Sequence, residues 1–242
     1  METISHIALS NQTALNRKMT IISNNLANMN TPAYRGESAM FEEVLEEERA
    51  NETGGISFVQ DVASFFDTGE GPMEATGNPL DLAIHGEGYF TIETENGPRY
   101  SRAGAFQLDA DNTIVTPEGR ALLDDQGNAI EVPEEATDIQ IARDGTISTE
   151  AGNLAQLEIV SFENEHELKR RPDGLYEAED MDPVASEDVT IEQGMIEGSN
   201  IKAVVEMTEM MKVVRSYEGA KSMIDEDHER QLRAMRTLVS TQ

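Results

Sequence analysis

The chain has 242 residues, no cysteine, and 47 acidic against 18 basic side chains, a formal charge of −29. That balance argues against a nucleic-acid or anionic-membrane surface, because phosphate recognition needs clustered Lys and Arg. The missing thiols exclude disulfides and thiolate metal sites.

The charge is unevenly spread. Residues 37–200 hold 39 acids and 8 bases, residues 1–36 hold one acid and three bases, and residues 201–242 hold seven of each. The two ends can therefore meet copies of themselves without strong like-charge repulsion, while the middle carries solubility. Adaptation to a salty environment explains the acidity equally well. The first thirty residues contain only the apolar run Ile7-Ala8-Leu9, where a secretory signal needs about 7–15 residues. No stretch approaches the ~20 apolar residues of a membrane-spanning helix. The expectation is a cytoplasmic protein or one exported without a cleaved signal.

In chain order, residues 1–30 come first. Ala8, Gln12, Leu15, Met19, Ile22, Leu26 and Met29 follow a 4-3 spacing, a heptad seam with Gln12 as its polar member. Thr31-Pro32 ends the helix, since proline moves the preceding residue out of the helical region. A surface helix packing on its own domain has the same pattern. Residues 31–78 read as an extended connector, with a short helix marked by Phe41, Val44 and Leu45 within the acidic run 42–48 and breakers at Gly54-Gly55 and 69–72.

Residues 79–195 read as β. Tyr89-Phe90-Thr91-Ile92 runs into Asn96-Gly97, a hairpin signal. Further turns fall at 109–112, Glu118-Gly119, Gln126-Gly127 and Asp144-Gly145, and Ile139/Ile141 and Leu157/Ile159 alternate with polar neighbours. Turns every 8–12 residues or so suggest a mainly antiparallel, sandwich- or barrel-like domain. Residues 196–242 form the last helix, with Ser199 or Asn200 as N-cap. Its apolar face is Ile201, Val204, Thr208, Met211 and Val214, with Met207 and Tyr217 beside it, extended by Ile224, Gln231, Met235 and Leu238. The fold class is α+β: two sticky terminal helices around a β body, a layout suited to polymerisation.

Catalytic signatures are missing. His6, His85, His166 and His228 share no ligand spacing, and no zincin, nucleophile-elbow or phosphate-loop motif occurs. Gly86-Glu87-Gly88 precedes a strand rather than a helix, so it is no nucleotide fingerprint. Asp109-Ala110-Asp111-Asn112 begins like a calcium loop, but Thr113 and Ile114 break it. We expect no enzyme, no catalytic residue, no metal and no cofactor.

Three blocks, however, are specific. "SNNLANMNTPAYRG" at 23–36 resembles the N-terminal signature of the flagellar axial proteins of bacteria, which form rod, hook and hook-associated structures. "TGNPLDLAIHGEGYFTI" at 76–92 with "YSRAGAFQLDADNTIVTPEGRALL" at 100–123 resembles the rod and hook subgroup. "IEGSNIKAVVEMTEMMKVVRSYEGAKSMI" at 196–224 resembles its C-terminal signature. The length and short middle favour a rod subunit over the longer hook protein, and the tail at 225–238 favours the proximal rod, with the distal rod as the alternative. Ala33-Tyr34 departs from the family's usual Gly-Phe or Gly-Tyr, which restricts the turn after Pro32.

The resemblance implies that the two helices pair as a coiled coil in an inner layer, with the β body outside. It implies assembly residues: Leu15, Met19, Ile22 and Leu26 in the N-terminal seam, faced by Val204, Met211 and Val214. Asn24, Asn25 and Asn28 would satisfy hydrogen bonds at a crowded helix end, or simply cap it. Partners would be other rod proteins, copies of this chain and the flagellar type III export apparatus, with no nucleic acid and no membrane insertion. The location would be the basal-body rod spanning the periplasm, where the subunit transmits torque and lines the export channel. Two other classes stay open: a secreted enzyme on a β scaffold, which leaves the terminal stripes unexplained, and a coiled-coil adaptor, which leaves the three ordered blocks unexplained.

Overall fold

The computed structural model describes residues 2–46, 56–136, 138–179, 181–186 and 189–239. The side chains of Ala8, Phe41, Val44, Leu45, Gln231, Met235 and Leu238, named above, lie outside what is described. The chain divides into two compact units. One gathers residues 1–29, 36–67 and 201–242, the other residues 30–35 and 68–200.

The first unit holds the helices α1 (Glu2–Ala27) and α2 (Ala203–Val239) and the strands β1 (Glu37–Glu46) and β2 (Ile56–Phe66). Residues 2–27 contain neither Gly nor Pro, so nothing interrupts α1. β1 and β2 pair antiparallel from Glu37↔Phe66 to Glu46↔Ile56, with a bulge between Met40 and Phe41. The helix expected around Phe41–Leu45 is therefore strand. The partner segment ISFVQDVASFF is rich in β-branched and aromatic residues, and pairing with it overrides the helical preference of the glutamates.

Helix α1 packs against α2 and against both strands. Among its described side chains Ala14, Ile21, Ile22 and Asn25 are buried, and Leu15, Met19 and Leu26 are half-buried. The buried surface is wider than one heptad stripe because α1 covers two neighbours. Helix α2 does not begin at the expected cap. Ser199 and Asn200 precede it, and the first turn closes on the Lys202 carbonyl, which accepts from Val205 N–H at 2.9 Å and Glu206 N–H at 3.1 Å. Asn200 is engaged elsewhere, as described below.

The second unit is β apart from one 3-10 turn at Glu165–Glu167, and among the described residues every pairing is antiparallel. Its first strands are β3 (Met73–Ala75), β4 (Leu82–His85), β5 (Tyr89–Ile92) and β6 (Arg99–Ser101). The Asn96-Gly97 turn joins β5 to β6 as expected, with Gly97 at φ +102°. A six-stranded sheet runs 169–170, 176–177, β6, β5, 159–161 and 184–185. β4 pairs with Thr190–Gln193 and β3 with Met195–Glu197, so the last strands return to the first. The main core includes Leu82, Ile84, Phe90, Ile92, Leu122 and Ile147. A second cluster places Tyr89, Tyr100, Phe162 and Tyr176 edge to face.

Candidate functional site: helix pair and clasp

Two features stand out, one in each unit. The first is α2. Its buried residues Val213, Ala220 and Asp227 are seven apart, and Glu206, Met210, Tyr217 and Ile224 are half-buried at the intervening 4-3 positions. This is the face that packs in the single chain, and it lies one residue away from the stripe expected from hydrophobicity. Val204 is 78% and Met211 54% exposed, Val205 and Met207 are also exposed, and Val214 is half-buried. Lys18 of α1 reaches Glu209 of α2 at 3.6 Å.

The three asparagines have separate placements. Buried Asn25 binds β1 reciprocally: its Nδ2 donates to the Glu37 carbonyl at 2.9 Å, and its Oδ1 accepts the Glu37 N–H at 3.0 Å. Asn28 caps the last turn of α1, donating from Nδ2 to the Asn24 carbonyl at 2.9 Å. The Asn24 side chain is exposed.

The second feature was not anticipated. Arg102 and Glu197 are both buried, and Arg102 Nε donates to Glu197 Oε2 at 2.8 Å. Arg102 Nη1 donates to the Gly86 and Gly88 carbonyls at 2.7 Å each, and Nη2 donates to the Ile84 carbonyl at 3.1 Å and Glu70 Oε1 at 3.4 Å. All five guanidinium N–H groups are thus used. This is the structural role of Gly86-Glu87-Gly88: two carbonyls turned onto one cation. A buried charge is tolerable only when paired and hydrogen-bonded in this way.

Glu197 is held by more than Arg102. Its Oε1 accepts the Gly71 N–H at 3.0 Å, and its carbonyl accepts the Ala33 N–H at 2.8 Å. The Gly198 N–H donates to the Pro72 carbonyl at 2.8 Å, and the Asn200 N–H to the Tyr34 carbonyl at 3.2 Å. Asn200 Nδ2 donates to the Gly69 carbonyl at 3.0 Å. A methyl group on Gly71 would sit 2.0 Å from the Gly198 carbonyl oxygen, so only glycine allows that approach. Ala33 holds φ +53°, a left-handed conformation that costs an L-residue about 1–2 kcal/mol.

A second ion pair joins buried Arg35 to half-buried Glu165. Arg35 Nη1 meets Glu165 Oε2 at 3.2 Å, and the Tyr89 hydroxyl donates to the same oxygen at 3.1 Å. Burial pushes the Tyr89 hydroxyl well above its usual range, and the neighbouring Glu165 adds to this against the opposing Arg35 charge. Glu70 shows opposing effects. Burial raises its carboxyl, but the Gly86 N–H, Arg102 and His85 outweigh this and hold it below its ordinary value. Among the described residues no group of His, Asp and Glu is arranged to hold a metal. Asp109, which suggested a calcium loop, closes its own turn by accepting the Asp111 and Thr113 N–H groups.

Sequence reasoning missed this clasp, although each partner sits inside a recognisable block. Arg102 is in YSRAGAF, Glu197 in IEGSN, and Gly86 and Gly88 in HGEGY. A lone cation among small and apolar residues was the available signal.

Comparison with known proteins finds the same three regions. Residues 6–35 match the family model described as flagella basal body rod protein. Residues 83–149 match the flagellar hook protein FlgE/F/G D1 domain, and residues 192–237 match the flagellar basal body rod FlgEFG protein C-terminal. The chain is 31% identical over 228 residues, 93% of each chain, to flagellar basal-body rod protein FlgF of Caulobacter vibrioides. It is 29% identical, over 98% of each chain, to FlgF of Rhizobium meliloti. It is also 35% identical to flagellar basal-body rod protein FlgG of Agrobacterium fabrum, over 90% of this chain and 92% of that one.

Proposed function

The chain belongs to the flagellar basal-body rod protein family, and from that premise we propose that it is a FlgF-like rod subunit that assembles through its terminal helices. The family is structural, its place is the basal body, and its assembly brings it together with other rod and hook proteins. The near full-length likeness to FlgF relatives supports a FlgF-like subunit, and we assign it to the proximal rod. The likeness to FlgG keeps the distal rod as a second reading.

The observation that carries the assembly role is the unused face of α2. Val204, Val205, Met207 and Met211 stand in solvent although α1 covers the other side of the same helix. An apolar stripe on a helix already packed elsewhere is suited to a further helix. In the rod, α1 and α2 would form a coiled-coil inner layer, with Leu15, Met19, Ile22 and Leu26 in its seam and Val204, Met211 and Val214 turned to a neighbour. Asn24, itself exposed near the end of α1, would meet the next subunit, while Asn25 and Asn28 hold that end in shape. Repeated head-to-tail contacts of this kind do not close, so they build a filament. Such a layer would line the export channel and carry torque. The neighbours are copies of this chain and other rod proteins, and delivery is through the type III export apparatus. Nucleic acid and membrane insertion play no part, and no described helix is long and apolar enough to cross a membrane.

The test is the double variant Val204→Asp/Met211→Asp in a strain whose own copy is deleted. The variant should fold as the parent does yet be missing from purified basal bodies. Incorporation at the parental level would remove the stripe from the interface.

A further inference from the structure

We propose that the Arg102–Glu197 pair is a positioning device: it seats in one place the three segments of the central unit from which the terminal helices and the β1–β2 hairpin leave. The chain passes between its two units after residues 29, 35, 67 and 200. The segments flanking those passages are 30–35, the stretch from 68 onward, and the stretch ending at 200. Ordinarily, three linkers from distant parts of a chain are loosely held at a domain surface. Here the first two are both bonded to the third, at residues 197–200.

Glu197 takes hold of the first two. Its carbonyl receives Ala33, and its carboxylate receives Gly71 while binding Arg102. Asn200 repeats the pattern three residues later, its N–H on the Tyr34 carbonyl and its Nδ2 on the Gly69 carbonyl. Arg102 anchors this stretch to the body through the Ile84, Gly86 and Gly88 carbonyls. The side chain of Glu197 bonds a linker through Gly71 and the body through Arg102 at once, and Glu70 adds to this from its own linker through the Gly86 N–H and Arg102. The negative charge of Glu197 matters because it supplies the short, buried counter-charge to Arg102; Glu70, the other carboxylate on the guanidinium, is 39% exposed and farther away at 3.4 Å.

The hydrophobic core does not need the clasp. Its buried members lie between Leu82 and Ile191, and none belongs to residues 30–35, 68–72 or 195–200. Loosening the clasp lets water reach Arg102 and frees the linkers, while the core packing stays intact. The Glu197 contacts thus act on where the assembly elements are rooted rather than on whether the body folds, whereas Arg102 also serves the body through three carbonyls, and the clasp stands independently of the rod assignment.

Amide hydrogen exchange on the full chain tests this with two chemically unrelated variants. Glu197→Gln keeps the shape and removes the charge. Gly71→Ala keeps every charge and forces residue 71 away from residue 198. Both should speed exchange about tenfold or more at Ala33, Gly71, Gly198 and Asn200, while Ile114, Leu122 and Ile130, bonded to one another within the core, exchange at the parental rate. Unchanged exchange at Ala33 and Asn200 in both variants would overturn the proposal. So would loss of core protection together with the linkers, because the Glu197 contacts would then be part of general stability rather than of positioning.

Discussion

Arg102 Nε meets Glu197 Oε2 at 2.8 Å with both side chains out of solvent, and the two residues come from different sequence blocks of the chain. Pairs of this kind are asymmetric in their energetics. Without the Glu197 charge the guanidinium keeps Glu70 and three carbonyls, whereas removing Arg102 strands a buried carboxylate, a change that costs about 3–5 kcal/mol. Arg102→Ala strands Glu197 and leaves the Ile84, Gly86 and Gly88 carbonyls without their donor. Denaturant unfolding of the central unit should lose about that amount, a large share of the ~5–15 kcal/mol typical of a domain. Near-parental stability would mean that the buried pair carries no such weight.

Acid should weaken the central unit at a defined place. Glu70 is held below its ordinary 4.5, burial being outweighed by the Gly86 N–H and by Arg102 and His85. Asp173 is held below its ordinary 3.8, burial again being outweighed, here by the Leu175 N–H and by Arg120 and Arg99. A carboxylate whose folded value is depressed stabilises the fold above its unfolded value, and that contribution disappears as pH falls through the folded one. The melting temperature should therefore be flat near neutrality and drop below about pH 4.5. Glu70→Gln with Asp173→Asn should flatten the drop. An equally steep loss in the double variant would place the acid sensitivity elsewhere.

Salt should stabilise this chain. A formal charge of −29 repels itself, and salt screens exposed charges far more than buried ones such as Arg102 and Glu197. Raising NaCl from about 0.02 M to about 0.5 M should raise the melting temperature, with each kcal/mol gained moving it about 2–4 °C in a chain of this size. A fall would show that exposed ion pairs outweigh the net repulsion.

Two neighbouring positions on α2 should behave in opposite ways. Val213 is buried in the helix pair and Met211 is 54% exposed. Val213→Asp places a charge in the α1–α2 contact and should cost at least about 2 kcal/mol in the helical transition followed by circular dichroism. Met211→Asp should stay within about 0.5 kcal/mol of the parent, as surface changes do. Equal effects would contradict the seam at Val213, Ala220 and Asp227.

The contrast between those positions also shows what the sequence could convey. On α1 the 4-3 pattern conveys only part of the packing: Ile22 is buried and Leu15, Met19 and Leu26 are half-buried, but Ala14, Ile21 and Asn25, off that stripe, are buried as well. On α2 the packed face includes Glu206 and Asp227, and small Ala220, so hydrophobicity points to the adjacent stripe with Val204 and Met211. Burial of Asp227 depends on its tertiary surroundings, to which periodicity is blind. The β turns are legible because Gly97, Gly119, Gly127 and Gly145 all sit at positive φ, and turn chemistry is local. The β1–β2 hairpin is hidden because its pairing is non-local and its first strand is rich in glutamate. The clasp is hidden for the same reason: no local rule links Arg102 to Glu197, and only the fold brings their blocks together.

The most direct test of the rod assignment is quantitative mass spectrometry of detergent-resistant basal bodies purified from the source organism. The account predicts peptides of this chain in that fraction, at fewer copies than the most abundant rod component. Its absence there, with the protein recovered free in the soluble fraction, would contradict the account.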